Sequence, residues 1–389
     1  MKKRLFCFLG CLLCGNPLTA VPSPAWAAER PQIAAQAAVL MDGDSGRILW
    51  SKNAADPLPM ASTTKIMTAL LALEEGDLDR VVTISPRAAA APPVDMGLRA
   101  GEEYRLGDLL YPLLLESAND AAIAVAEGVS GSVEDFCERM TERAAELGAT
   151  DTVFVTPNGL DEGDHHSTAA DMARIARRAF QNPDFLALAQ TRSRTITTAA
   201  GTNPQTFTNK NRLLWEVPGM LGGKTGFTGA AGHCFVGAAR QEGRTLITVV
   251  LASGWGAAGK AQKWTDTRAL LGYGFQNYRP VTLFVAGDAA GSLPVFRSEA
   301  QGVPLCLAQG FTCLMTEEEQ ARVRLRVCVP EAVEAPVNAG QTVGYAEAVL
   351  EGQVLARTPV IAGASAQRRG AREYWQWLWR AAGSLPGWE

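Results

Sequence analysis

Three short strings in this 389-residue chain bring together side chains that could do chemistry in concert. Ser62-Thr63-Thr64-Lys65 sets a hydroxyl and an amine three residues apart, which on a helix start puts both on one face. A serine becomes a nucleophile when a base takes its proton. A lysine can be that base if desolvation and a nearby cation keep it neutral. The start of the helix adds free backbone N–H groups and a partial positive charge, which suit a lowered lysine pKa and an oxyanion hole. One Ser-x-x-Lys string carries little weight, because average composition yields about one in a chain this long. Ser117-Ala118-Asn119 and Lys224-Thr225-Gly226 follow it, the first in a loop between helical segments and the second among strands.

Other chemistries fit less well. Gly223-Lys224-Thr225 could end a nucleotide-binding loop, but that motif needs glycine where Pro218 stands, and the following segment leads to a strand. Asp164, His165 and His166 invite a metal, yet adjacent histidines point apart and the chain has only three. They are read as a loop near the mouth of the site, with no metal and no organic cofactor expected.

Apolar residues at helical spacing predict a helix from Ser62 to Glu75, stopped by Gly76. Further helices are predicted at Leu106–Leu115, Ala118–Val129, Val133–Leu147, Thr168–Phe180 and Thr265–Phe275. A hairpin spans Ala38–Asn53, strands are read at Thr195–Thr198, His233–Ala239 and Thr245–Ala252, and Ala88–Pro93 reads as a loop. Strands, then helices, then strands again imply a mixed sheet with helices rather than βαβ units. Beyond Tyr278 short strands, Val281–Val285, Val323–Val329 and Ala346–Leu350, imply a small all-β sandwich.

The three strings in this order form the Ser-x-x-Lys, Ser-Asp-Asn and Lys-Thr-Gly set of β-lactamases and penicillin-binding proteins, with Ala118 at the middle Asp. With Ala61–Thr68, Glu116–Ala122, Thr156-Pro157-Asn158-Gly159-Leu160 and Gly223–Gly226 followed by Ala231-Gly232, the chain resembles the D-alanyl-D-alanine carboxypeptidase family of low-molecular-mass penicillin-binding proteins. The resemblance runs from Ala38 to about Tyr278. It implies a mixed α/β catalytic domain like that of DD-peptidases and β-lactamases. In it Ser62 forms the acyl-enzyme and Lys65 activates it. Ser117 relays a proton, and Asn119 orients Lys65 and holds the peptide amide. Lys224 and Thr225 bind the terminal carboxylate, Gly226 lets the substrate lie along the strand, and the N–H groups of Ser62 and Phe227 form the oxyanion hole.

The substrate so implied is the peptidoglycan pentapeptide ending in D-Ala-D-Ala, with β-lactams as covalent inhibitors. A D,D-endopeptidase would share these residues, and an inactive wall-binding protein would be expected to have lost one of them. Phe227 departs from the histidine often found there. An arginine for the carboxylate is not mapped, Lys260 and Lys263 lying in a plausible region. Glu162 lacks the Glu-x-x-x-Asn surroundings of a deacylating β-lactamase, so slow turnover of penicillin is expected.

Lys2, Lys3 and Arg4 before an apolar run to Leu13, and Ala25-Trp26-Ala27, read as a cleaved signal peptide over residues 1–27. Without it 33 basic residues face 40 acidic ones, a net charge of −7 that argues against nucleic acid. The expected layout is 28–278 catalytic, 279–363 β-sandwich and 364–389 a basic aromatic tail. Four tryptophans or tyrosines, Tyr374, Trp375, Trp377 and Trp379, stand there among Arg368, Arg369, Arg372 and Arg380. Such a tail suits the outer face of the cytoplasmic membrane, which makes the protein exported and peripherally anchored. Cys306 and Cys313 flank a plausible turn and could bridge it.

Overall fold

Five strands build the sheet that carries Lys224-Thr225-Gly226: β1 (Ala37–Asp42), β2 (Ile48–Lys52), β3 (Met220–Thr228), β4 (Gly232–Gln241) and β5 (Arg244–Leu251). The computed structural model describes residues 6–8, 30–371, 375–376 and 378–379. The chain divides into two compact units, Trp26–Arg279 and Pro280–Glu389 with Met1–Ala25.

The sheet order is β2-β1-β5-β4-β3, and every pairing is antiparallel. The mixed sheet expected from the order of elements is therefore not found. Its strands meet through hairpins and through β1 returning beside β5, so no parallel crossover is needed. β1 and β5 are buried at every residue because both faces are covered. On one face Val39, Met41, Val236, Ile247 and Val249 join the main core with the helices α1 (Lys65–Glu75), α2 (Leu106–Leu115), α3 (Asn119–Ser130), α4 (Val133–Glu146) and α5 (Ala169–Gln181). On the other lies α6 (Gly256–Asn277). A side chain at Gly274 of α6 would run into Leu246 and Leu40, and Trp264 packs its ring 5.1 Å from Phe235.

α1 is buried from Lys65 through Ala72, so it runs through the middle of the unit rather than over its surface. The predicted start at Ser62 resolves into a 3-10 turn, Ala61–Thr64, before the α-helix proper. α6 begins nine residues before the predicted Thr265. Its first turns are Gly and Ala, which carry no periodic signal, and Gly259 packs directly on the Gly254 backbone. Ala88–Pro93 is partly helical, since Ser85 caps a single turn, Pro86–Ala89, ahead of the loop.

The second unit holds a seven-stranded sheet, in order Phe6–Phe8, Arg324–Val329, Thr342–Leu350, Gln353–Ala362, Gly302–Leu307, Ala289–Phe296 and Val333–Glu334. A two-stranded ribbon pairs Arg279–Phe284 with Phe311–Met315. Cys306 and Cys313 are not joined: Cys306 pairs with Ala289 and Ile361 in the large sheet, whereas Cys313 lies in the ribbon. Apart from Phe6–Phe8, whose backbone pairs with Val327–Val329, the expected leader lies outside the described residues. Trp375 and Trp379 are helical and exposed, while Tyr374 and Trp377 lie outside the described residues. Among the described residues no helix is long and apolar enough to cross a membrane.

Candidate active site

Ser62 lies in the single 3-10 turn Ala61–Thr64 and Lys65, three residues on, caps it and opens α1, so the two side chains share one face. The Lys65 amine lies 3.0 Å from Ser62 Oγ, 2.7 Å from Asn119 Oδ1 and 2.6 Å from the Asn158 carbonyl. The two shorter contacts are to oxygens that can only accept. Asn119 Nδ2 donates to the Pro92 carbonyl, which fixes Oδ1 as the atom facing the lysine. A neutral amine has two N–H bonds for those two oxygens, and its lone pair is then left for the third neighbour, the Ser62 hydroxyl. Burial, with a smaller contribution from the Lys224 ammonium, pushes the Lys65 pKa well below its ordinary value, and Asp120 opposes this.

Each partner of Lys65 is held by its own element. Asn119 opens α3, its backbone N–H donating to the Val94 carbonyl, so the loop after Pro86–Ala89 braces it twice. The neighbouring Asp120 carboxylate accepts from the N–H groups of Met96, Leu98 and Ala121. The Asn158 carbonyl comes from a turn through Gly159, whose φ is +83° and whose added Cβ would stand 2.0 Å from the Ala61 carbonyl. Thr68 Oγ1 donates to the Pro157 carbonyl at 2.6 Å and fixes the same turn to α1. Ala61 and Ser117 both hold left-handed backbone, φ +49° and +73°, so strain is concentrated on either side of this cluster.

Ser117 lies between α2 and α3, and its hydroxyl forms no hydrogen bond among the described residues. β3 closes the other side. A Cβ on Gly226 would come within 3.1 Å of the Ser62 nitrogen, so any side chain there would push this strand a few tenths of an ångström away from the serine. β3 is an edge strand. Opposite Phe227 stands His233, whose N–H donates to the Gly254 carbonyl and whose carbonyl accepts from Ser253 N–H. Phe227 is therefore a non-hydrogen-bonded pair with His233, and its own N–H and C=O point to the open edge; Thr225, two residues earlier, does the same. The Phe227 ring is half exposed and stacks on His233 with centroids 4.3 Å apart.

Lys224 is buried, its amine donating to the Thr225 carbonyl at 3.0 Å. Burial first, then the nearby Lys263, pushes its pKa down to about 7. Lys263, from α6, is itself buried and lowered to about 8 by desolvation, with Lys260 adding to the effect. The structure thus selects Lys263 over the exposed Lys260 as the second cation beside Lys224. Ser253 Oγ is buried without a hydrogen-bond partner, a donor that the sequence did not reveal. Two desolvated ammonium groups with no carboxylate against them among the described residues form a site for an anion.

His165 departs most from expectation. It is not at a mouth but buried, bonded at both ring nitrogens to backbone and Thr64. His166 is half-buried beside Asp164. The Asn158 carbonyl was equally hidden from sequence reasoning, because a backbone oxygen has no residue signature; the conformationally special Gly159 after it was the available cue.

A serine and a desolvated lysine on one turn, facing the open edge of an antiparallel strand beside an anion site, define a serine acyl-transfer enzyme of the Ser-x-x-Lys kind. Residues 25–254 match the D-alanyl-D-alanine carboxypeptidase family, and residues 278–368 match the C-terminal domain of penicillin-binding protein 5. The chain belongs to the D-alanyl-D-alanine carboxypeptidase family. It is 30% identical over 343 residues to the D-alanyl-D-alanine carboxypeptidase DacF of Bacillus subtilis, covering 86% of this chain and 87% of that one. DacB2 of Mycobacterium tuberculosis is 37% identical over 254 residues, 65% of this chain and 86% of its own. Penicillin-binding protein 5 from Haemophilus influenzae superposes with a TM-score of 0.74 at 29% identity, covering 87% of this chain and 99% of that structure.

Proposed function

We infer that this protein is a serine-type D-Ala-D-Ala carboxypeptidase that removes the last D-alanine from peptidoglycan stem peptides, with Ser62 as its nucleophile. The observation that carries the assignment is the geometry at Lys65: two acceptor-only oxygens at 2.7 and 2.6 Å and the Ser62 hydroxyl at 3.0 Å. Neutral Lys65 takes the hydroxyl proton as Ser62 Oγ bonds to the carbonyl carbon of the penultimate D-alanine. The oxyanion rests on the N–H groups of Ser62 and Phe227. The C–N bond then breaks as Ser117 Oγ relays that proton from Lys65 to the departing amine; neutral Lys65 next takes a proton from water as the water attacks the ester, and delivers it to Ser62 Oγ as the acyl C–O bond breaks.

Lys224 and Thr225, with Lys263 beside them, receive the terminal carboxylate, and this makes the enzyme act at chain ends. The peptide lies along the open edge of β3, where Thr225 and Phe227 offer backbone donors and acceptors. A β-lactam enters the same path, and its acyl-enzyme persists because Glu162, the glutamate of the 156–171 segment, is exposed in a loop and lacks the Glu-x-x-x-Asn surroundings of a deacylating base. A Ser62→Ala variant that still released D-alanine at the wild-type rate would refute the assignment.

The protein is exported and held at the outer face of the cytoplasmic membrane by its tail. Trp375 and Trp379, four residues apart and both exposed, share one helix face, which supports that reading.

A further inference from the structure

The Asn158 carbonyl touches the Lys65 amine at 2.6 Å and lies 3.4 Å from Ser62 Oγ, so its position sets the geometry of both reacting groups. It sits in a turn that packs on α1 but belongs to a different stretch of chain. His165, further along that stretch, closes it. Its Nδ1 accepts from the backbone N–H groups of Val155 at 3.0 Å and Thr156 at 3.3 Å. Because Nδ1 accepts, the ring proton is on Nε2, which donates to Thr64 Oγ1 at 2.9 Å, one residue from Lys65. The ring is buried at 6% exposure and stands edge-on to Phe154 with centroids 5.9 Å apart.

We propose that His165 is a positioning residue for the general base: its neutral imidazole ties the backbone entering the Thr156–Leu160 turn to the turn that bears Ser62 and Lys65, and so holds the Asn158 carbonyl against the lysine. A ring protonated at both nitrogens could not accept from Val155 and Thr156, so only the neutral form makes the clamp. Burial keeps the ring in that form, lowering its pKa to about 4; Asp161 opposes the shift and His166 adds to it. Hydrogen bonding to the Asn158 carbonyl favours the ammonium form of Lys65, between Lys224 on β3 and Asp120 on α3. Loosening the clamp therefore lowers the Lys65 pKa further while spoiling its aim.

The inference rests on the Ser62 acyl-enzyme, and its test compares wild type, His165→Ala, His165→Gln and Thr64→Val in acylation by a fluorescent penicillin across pH, and in D-alanine release. His165→Ala is expected to acylate about 10²-fold more slowly, the cost of an ångström-scale misplacement, and Thr64→Val several-fold more slowly. KM should stay within about twofold, because the anion site is untouched. The acid limb of the profile should move down by about one pH unit, the size of one charge-assisted hydrogen bond. His165→Gln should recover part of the rate, since its amide offers an acceptor and a donor side by side. Folded His165→Ala and Thr64→Val proteins with wild-type rates and an unmoved acid limb would overturn the proposal. If His165→Ala does not fold, Thr64→Val alone decides by the same two readouts. A wild-type protein that forms no adduct would instead remove the Ser62 reading, and this inference with it.

Discussion

At the scale of single residues, the site works by holding amines in a medium that disfavours their charge. In the proposed mechanism Lys65 must be neutral to act as a base, whereas Lys224 must be charged to hold a carboxylate, and the protein separates the two by their surroundings. Lys65 is buried in α1 beside a cation; Lys224 borders the anion site, its pKa pushed down to about 7. The unfolded chain keeps the Lys224 proton up to about pH 10.5, so from that value down to about pH 7 burial of this lysine increasingly opposes folding. Stability from this residue therefore rises with pH across that window. Substrate binding has the opposite demand. The kcat/KM profile, which reports the free enzyme, should fall on its alkaline side from about pH 7 upward as Lys224 loses its charge. Lys224→Arg keeps the charge at all these values and should carry the alkaline limb to higher pH. An alkaline limb left in place by Lys224→Arg would mean that another group controls it.

At the scale of elements, two glycines decide how closely the catalytic turn can be approached. Gly159→Ala would force a left-handed alanine whose Cβ stands 2.0 Å from the Ala61 carbonyl, so the turn must move away from Lys65. Strain of this kind costs about 1–2 kcal/mol before the clash is counted, and thermal unfolding should show a clear loss of stability together with slowed acylation. Gly226→Ala meets Met60 O at 3.0 Å and the Ser62 nitrogen at 3.1 Å, distances that a small shift can relieve. Acylation should fall while the melting temperature changes little, and a wild-type acylation rate in that variant would contradict the close approach of β3 to Ser62.

The same elements explain what could be read from sequence. α4 and α5 were legible because periodic apolar residues coincide with caps, Ser132 accepting from Asp135 N–H and Thr168 from Asp171 N–H, and α1 because its apolar period ends at Gly76. β1, β4 and β5 were legible as apolar runs. The strands at Ala289–Phe296, Gly302–Leu307 and Gln353–Ala362 were not, because Pro294, Pro304 and Pro359 interrupt runs that tertiary pairing nonetheless accepts inside the sheet, with Pro294 opposite Gly302, Pro304 opposite Ser292 and Pro359 opposite Tyr345. Ser62, Lys65 and Asn119 could be named from their side chains, whereas Asn158 acts by its carbonyl, marked only by the Gly159 after it, and His165 acts through bonds to Thr64, Val155 and Thr156 that its spacing does not reveal.

At the scale of the whole molecule, every proposed catalytic residue lies within Trp26–Arg279, and the second unit has its own core around Leu293, Val303, Leu305, Ala348 and Val360. In that unit the buried Glu347 carboxylate accepts from Arg326 and Arg357, both of which lower its pKa. Glu347→Ala should destabilise the second unit by calorimetry and leave penicillin acylation at the wild-type rate; a parallel loss of acylation would show that the two units are not independent in function. Removing the chain from Gln367 onward should release the protein from membranes in a pelleting assay without changing acylation, and continued pelleting would exclude the tail as anchor. The nucleophile is tested most directly by the intact mass of the purified protein followed over time after mixing with penicillin G, with Ser62→Ala alongside. A one-to-one adduct should persist for many minutes in the wild type and never form in the variant. An adduct that forms equally in Ser62→Ala, or penicillin consumed rapidly with no adduct, would contradict the assignment.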